Sequence, residues 1–204
     1  MHTILVSSLF LLAYRPVSGK YCTPQDIVSN ALENAPEAKK LMTRLYNFFL
    51  VYHSRNDTFK VAYPCLQAKR QTDVEETMRA TYVFKYLFDG KFVTDHRQVS
   101  VERTDEAYPS ENEFVVEINK EGDTIKVDFQ VIYSDYQTCV LFWTWSLGYQ
   151  VWVEASHLRD KRNVPRSCEL LYHLLADNQK HVVYNQRTCH ITDRKKSSGK
   201  KQPS

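Results

Sequence analysis

Between Cys139 and Glu154 the sequence reads CVLFWTWSLGYQVWVE, with a cysteine at the edge of a cluster of tryptophans and a phenylalanine. Indole and phenyl faces bury against apolar surface, and they attract cations by roughly 0.5–2 kcal/mol per contact. The stretch is too short and too interrupted to span a membrane, which takes roughly 20 apolar residues. Such a density of rings suits the wall of a ligand cavity or a packed core. Catalysis has no comparable signal. His157, His173, His181 and His190 show no HExxH or other metal spacing. There is no GxSxG, no P-loop and no dinucleotide fingerprint, and five glycines in all leave little for phosphate-cradling loops. These residues point to a binding protein without metal or cofactor, and not to an enzyme.

The ends place the chain. Residues 1–19 begin MHTILVSSLFLLAYRPVSG: a basic His2, an apolar run from Ile4 to Tyr14, and the small-residue end Val17, Ser18 and Gly19. That order predicts a secretory signal peptide with no transmembrane segment. Residues 20–189 then form one domain of ordinary size. Residues 190–204 carry Arg194, Lys195, Lys196, Lys200 and Lys201 against Asp193, with no apolar residue after Ile191. This tail is expected to be disordered and basic. Five basic residues against one acidic give it more positive charge than the formal net charge of +3 of the whole chain. The folded part is close to neutral, which argues against nucleic acid as a partner. Five cysteines (Cys22, Cys65, Cys139, Cys168 and Cys189) imply disulfides in a secreted chain and leave one without an internal partner. Asn56, in NDT, is the glycosylation acceptor.

The elements that must position the rings are mostly strands. Thr23, Pro24 and Asp26 open a short helix that closes before Pro36, with a second turn from Pro36. After it the period falls to two. Alternating or β-rich runs follow at 45–53, 65–69, 78–88, 97–104, 113–118, 124–133, 138–145 and 149–154. Ala80, Tyr82, Phe84 and Tyr86 share one face of the third, and Asp89-Gly90 predicts a tight hairpin after it. Residues 164–179 return to helical spacing, with Val164, Cys168, Leu171, Leu174 and Leu175 as one stripe, and 181–189 reads as a last extended segment. Short alternating strands without intervening helices predict antiparallel pairing, as a sandwich or a closed barrel.

VIYSDYQTCVL, YQVWVEASHL, VPRSCELLYHLLAD and VVYNQRTC, in that order, resemble the tick salivary lipocalins of the histamine-binding protein family. The likeness covers most of the chain up to Cys189. It implies an eight-stranded antiparallel up-and-down barrel, with a short N-terminal helix and a C-terminal helix packed outside. It also implies the bridges Cys65–Cys189 and Cys139–Cys168, leaving Cys22 without a family partner, either free or paired between chains. Each bridge closes a long loop and should contribute about 2–4 kcal/mol. If Cys139 turns outward to the helix, alternation puts Leu141, Trp143 and Trp145 outside, under the helix, and Val140, Phe142 and Thr144 inside. On the next strand the family pattern points Gln150, Trp152 and Glu154 inward.

The resemblance implies a secreted protein that sequesters a small host mediator, by default a biogenic amine such as histamine or serotonin, and so suppresses host inflammatory defence. Amine-binding members carry carboxylates at two positions that are Val140 and Gln150 here. A buried carboxylate is costly unless paired, and a bound ammonium supplies the partner. Without those charges, Tyr82, Phe84, Tyr86, Phe129, Phe142 and Trp152 suit a mostly apolar ligand with one polar end. A leukotriene or fatty acid fits that description, its carboxylate paired by Arg79 or Arg103. Glu154, or Glu75, Glu76, Glu102, Glu117 and Asp128 at a mouth, are the acidic alternatives for an amine. If the rings instead fill the barrel, the outer loops become the binding surface for a host protein such as a complement component.

Overall fold

The computed structural model describes residues 36–44, 46–55, 63–120, 123–177 and 179–189. The signal peptide, Cys22, the helix from Thr23, the Asn56 sequon and the tail from His190 lie outside them. The chain runs α1 (Ala38–Arg44), β1 (Asn47–His53), β2 (Gln67–Arg70), β3 (Arg79–Phe88), β4 (Lys91–Glu102), β5 (Glu113–Lys120), β6 (Asp123–Ser134), β7 (Cys139–Thr144) and β8 (Gly148–Glu154). It ends with α2 (Ala155–Lys161), α3 (Arg166–Leu175), β9 (His181–Val182) and α4 (Gln186–Cys189). Strands β2 to β8 pair in sequence order, and β1 pairs with both β8 and β2. Eight antiparallel strands thereby close into a barrel, and β9 extends the edge of β1 beyond β2.

Local chemistry sets the register. Asp89 and Gly90 both take positive φ, 47° and 70°, as a two-residue type I′ hairpin requires. The turn fixes the β3–β4 ladder from Phe88↔Lys91 to Arg79↔Ser100. The next pair behaves differently. β4 and β5 share only the rungs from Val99↔Val116 to Glu102↔Glu113. Beyond Val99, toward the hairpin, β4 pairs with β3 and β5 pairs with β6, so the wall parts there into a notch.

Alternation divides the apolar residues into two cores. The inner one joins Phe48, Leu50, Ala80, Tyr82, Val99, Phe114, Val116, Val131, Val140 and Trp152 to Leu41 and Met42 of α1. Ala38 of α1 donates its N–H to Glu111 O at 2.8 Å, which lays the helix across one end of the barrel. Arg70 donates to Met42 O, and to Thr43 O at 3.2 Å, so a cation meets the helix C-terminus. The outer core lies between the wall and α3, where Cys139, Leu141, Val151 and Val153 meet Cys168 and Tyr172. Cys139–Cys168 and Cys65–Cys189 are both bonded.

Three elements differ from the sequence expectation. The stripe of α3 uses Tyr172, fully buried, in place of Leu174, which is 70 % exposed. Position 172 lies four beyond Cys168 and one helical turn from Leu175, whereas 174 falls off that face. Residues 181–189 are not extended throughout. β9 covers only His181–Val182, and Asn185 accepts from Arg187 N at 2.9 Å to cap the turn α4. Finally, α2 is an additional helix, started by Glu154 and ended by Arg162 at φ 58°.

Candidate ligand-binding site

Inward side chains from all eight barrel strands and α1 leave a hollow of about 70 Å³ in the barrel. Tyr82, Phe84, Phe129, Val140, Phe142 and Trp152 line it, as the alternation predicts. Leu41, Phe48, Ala68, Val99, Phe114 and Val116 complete the wall. Phe142 stands edge-on to Phe114 and Phe129, with ring centroids 5.5 and 6.0 Å apart and planes at 80° and 81°. Edge-to-face contacts of this kind are favourable and leave ring faces available to a guest.

None of the lining residues is charged. The polar groups they bring are the Tyr82 hydroxyl and the Trp152 indole. Burial pushes the Tyr82 phenol up to about 12, against the opposing pull of Arg70, so it is a neutral donor at physiological pH. The Trp152 N–H is already used: it donates to Gln150 Oε1 at 3.1 Å, and Gln150 Nε2 donates to Thr144 Oγ1 at 2.9 Å. Gln150 is fully buried and faces inward, but it braces Trp152 and does not line the hollow.

The other expected residues sit elsewhere. Tyr86 shares the inward face of β3 but lies nearer the hairpin, packed edge-on against Tyr63 at 4.9 Å. Glu154 faces inward by register with Phe48, yet its carboxylate caps α2, accepting from His157 N at 2.9 Å and from Ser156 Oγ. Trp143 packs into the outer core as expected. Trp145 does not: β7 ends at Thr144, whose hydroxyl takes Leu147 N at 3.0 Å to form the turn, and the indole is left 73 % exposed. Arg55 lies over that ring at 4.8 Å. Glu75, Glu76, Arg79, Arg103 and Asp128 are exposed, and Glu102 and Glu117 turn outward on β4 and β5. None of them lines the hollow.

An inward-facing charged pair stands near the hollow instead. Asp95 lies opposite Phe84 and Arg97 opposite Tyr82, both on the face of β4 that carries Val99. Arg97 Nε donates to Asp95 Oδ2 at 2.8 Å, and Nη2 donates to the same oxygen. The sequence signal was available, because a two-residue turn at Asp89-Gly90 dictates both pairings. Starting the strand at Arg97 hid it.

Comparison with known proteins agrees with this architecture. The serotonin complex of AM182 superposes with a TM-score of 0.59 at 16% identity, covering 76% of this chain and 94% of that one. Insecticyanin from the tobacco hornworm Manduca sexta gives 0.56 at 12% identity, covering 73% and 82%. Japanin from Rhipicephalus appendiculatus bound to cholesterol gives 0.48 at 14%, covering 72% and 97%. The first two show that the fold is that of a lipocalin. A search of curated proteins finds none that matches in sequence. The family profile described as tick histamine binding protein matches residues 29–191, which span the whole barrel, α3 and all four bridged cysteines. On that match the chain belongs to the tick histamine binding protein family.

Proposed function

We propose that this protein sequesters one small, mostly apolar ring compound with a single polar end inside its barrel. One observation carries the reading: the hollow is walled by aromatic and aliphatic side chains without a charge among them. Its volume of about 70 Å³ is several times the roughly 10–15 Å³ one water needs. A one- or two-ring guest suits these ring-lined walls, with a leukotriene or fatty acid as the extended alternative. A biogenic amine is the second reading. The family and the ring faces favour it, while Val140 and Gln150 supply no carboxylate. Residues 1–19 as a leader, two disulfides and a sequon at Asn56 support secretion, and residues 20–189 are the binding domain in this reading. Removal of a host mediator is then its use.

Native mass spectrometry and calorimetry with histamine, serotonin, indole and a fatty acid test the proposal. One-to-one micromolar binding of a ring compound is the expected result. Absence of any small-molecule binding, with recovery of one protein from plasma on the immobilised chain, would replace it with inhibition of a host protein.

A further inference from the structure

The Asp95–Arg97 pair has an unusual place. Both side chains point into the barrel from β4, directly across from the lining residues Phe84 and Tyr82. They are only 37 % and 21 % exposed, and they stand beside the notch where β4 and β5 part. Two N–H groups of Arg97 converge on a single oxygen of Asp95. Asp95 Oδ1 and Arg97 Nη1 take no part in these two bonds. The pair thus offers the lumen one acceptor and one donor of opposite charge, side by side, at the border of an uncharged hollow.

We propose that Asp95 and Arg97 form the head-group site of this barrel and select a ligand whose polar end is neutral, such as a hydroxyl. The inference rests on the proposed function and names the ligand class for the same cavity. A hydroxyl both donates and accepts, so it satisfies Oδ1 and Nη1 without breaking the ion pair. An ammonium gains Oδ1 but meets the guanidinium beside it, and a carboxylate gains Nη1 but meets Asp95. Each must displace one partner and leave the other's charge half-buried and unpaired, which is the costly outcome. The discrimination is therefore built from repulsion as much as attraction. Neutral Val140 in the wall and neutral Gln150 behind Trp152 agree with it, because neither adds a charge to tip the balance.

Three probes with one ring system separate the possibilities: indole-3-ethanol, tryptamine and indole-3-acetate, measured by calorimetry or Trp fluorescence on the full chain. The wild type is expected to bind the alcohol tightest. Arg97→Gln exposes Asp95 and should raise tryptamine affinity about tenfold relative to the alcohol, the worth of one charge-assisted hydrogen bond. Asp95→Asn should do the same for indole-3-acetate. The double variant Asp95→Asn/Arg97→Gln should keep the neutral preference, and circular dichroism checks that each variant is folded. Equal shifts for all three probes in the single variants, or tightest wild-type binding of tryptamine, would overturn the head-group assignment and leave the barrel-ligand reading standing. Failure of the wild type to bind any of the three would remove both.

Discussion

Trp152 donates its indole N–H to Gln150, two residues earlier on the same face of β8. Gln150 hands the bond on to Thr144, so a line of three side chains crosses the inner wall with its polar groups paired. Gln150→Leu leaves the indole N–H and the Thr144 hydroxyl without this partner. A loss of about 1–3 kcal/mol is expected, read as a lower urea midpoint with an unchanged slope.

The same place admits a gain of function. Val140→Asp with Gln150→Glu restores the two carboxylates that amine-binding members carry. Val140 lines the hollow and lies opposite Trp152. Histamine affinity should rise by at least tenfold while stability falls, because two buried carboxylates lack a partner until the cation arrives. Calorimetry and thermal melts with and without histamine measure both effects; equal histamine binding in wild type and variant would contradict the placement of these side chains.

Acid should weaken the barrel through His53. Burial holds its imidazole below the ordinary value of 6.5, and His181, 5.4 Å away, pushes the same way against a backbone contact from Arg55. The folded state therefore prefers the neutral ring. The corresponding stability is fully present above pH 6.5 and is lost as pH falls from there toward the lower folded value. Melting temperatures from pH 7.5 to 5 should drop less steeply in His53→Gln than in the wild type.

The two bridges should differ in weight. Cys65–Cys189 spans 124 positions and Cys139–Cys168 spans 29. Loop-closure entropy gives about 5 kcal/mol for the first and about 3.5 kcal/mol for the second. Paired Cys→Ala variants, unfolded in denaturant, should rank in that order.

Gly148 has little freedom. It sits at φ 67°, and a Cβ there would stand 2.3 Å from Ser54 Oγ, which itself accepts Tyr149 N at 2.9 Å. Gly148→Ala should cost about 1–3 kcal/mol, the usual scale for a strained backbone with a displaced neighbour. A melt indistinguishable from wild type would mean that the Ser54 turn moves freely.

Much of this molecule is legible in its residues, and the illegible parts share a cause. Asp89-Gly90 announces its hairpin because few other residues accept two positive φ angles in succession. The order of sides after Cys139 follows from one anchored cysteine, and Val140, Phe142 and Trp152 fall where alternation puts them. Alternation gives a side but not a depth, which is why Gln150, Glu154 and Tyr86 face inward without touching the hollow. Trp145 escaped because a strand's last residue is decided by a Thr144 hydroxyl bond and not by pattern. Asp95 and Arg97 escaped because charged side chains in a run read as solvent-facing until the turn's register is carried through.

The seam of the barrel carries a kinetic consequence. β3–β4, β5–β6 and β7–β8 are hairpins whose partners are neighbours in sequence, while β1 must find β8 roughly a hundred positions away. Hairpins form in microseconds, and distant pairing is slow because the entropy of closing the intervening chain comes first. Refolding should therefore build three ribbons early and close the β1–β8 seam last, with Cys65–Cys189 fastening β1 through the short strand laid along its edge.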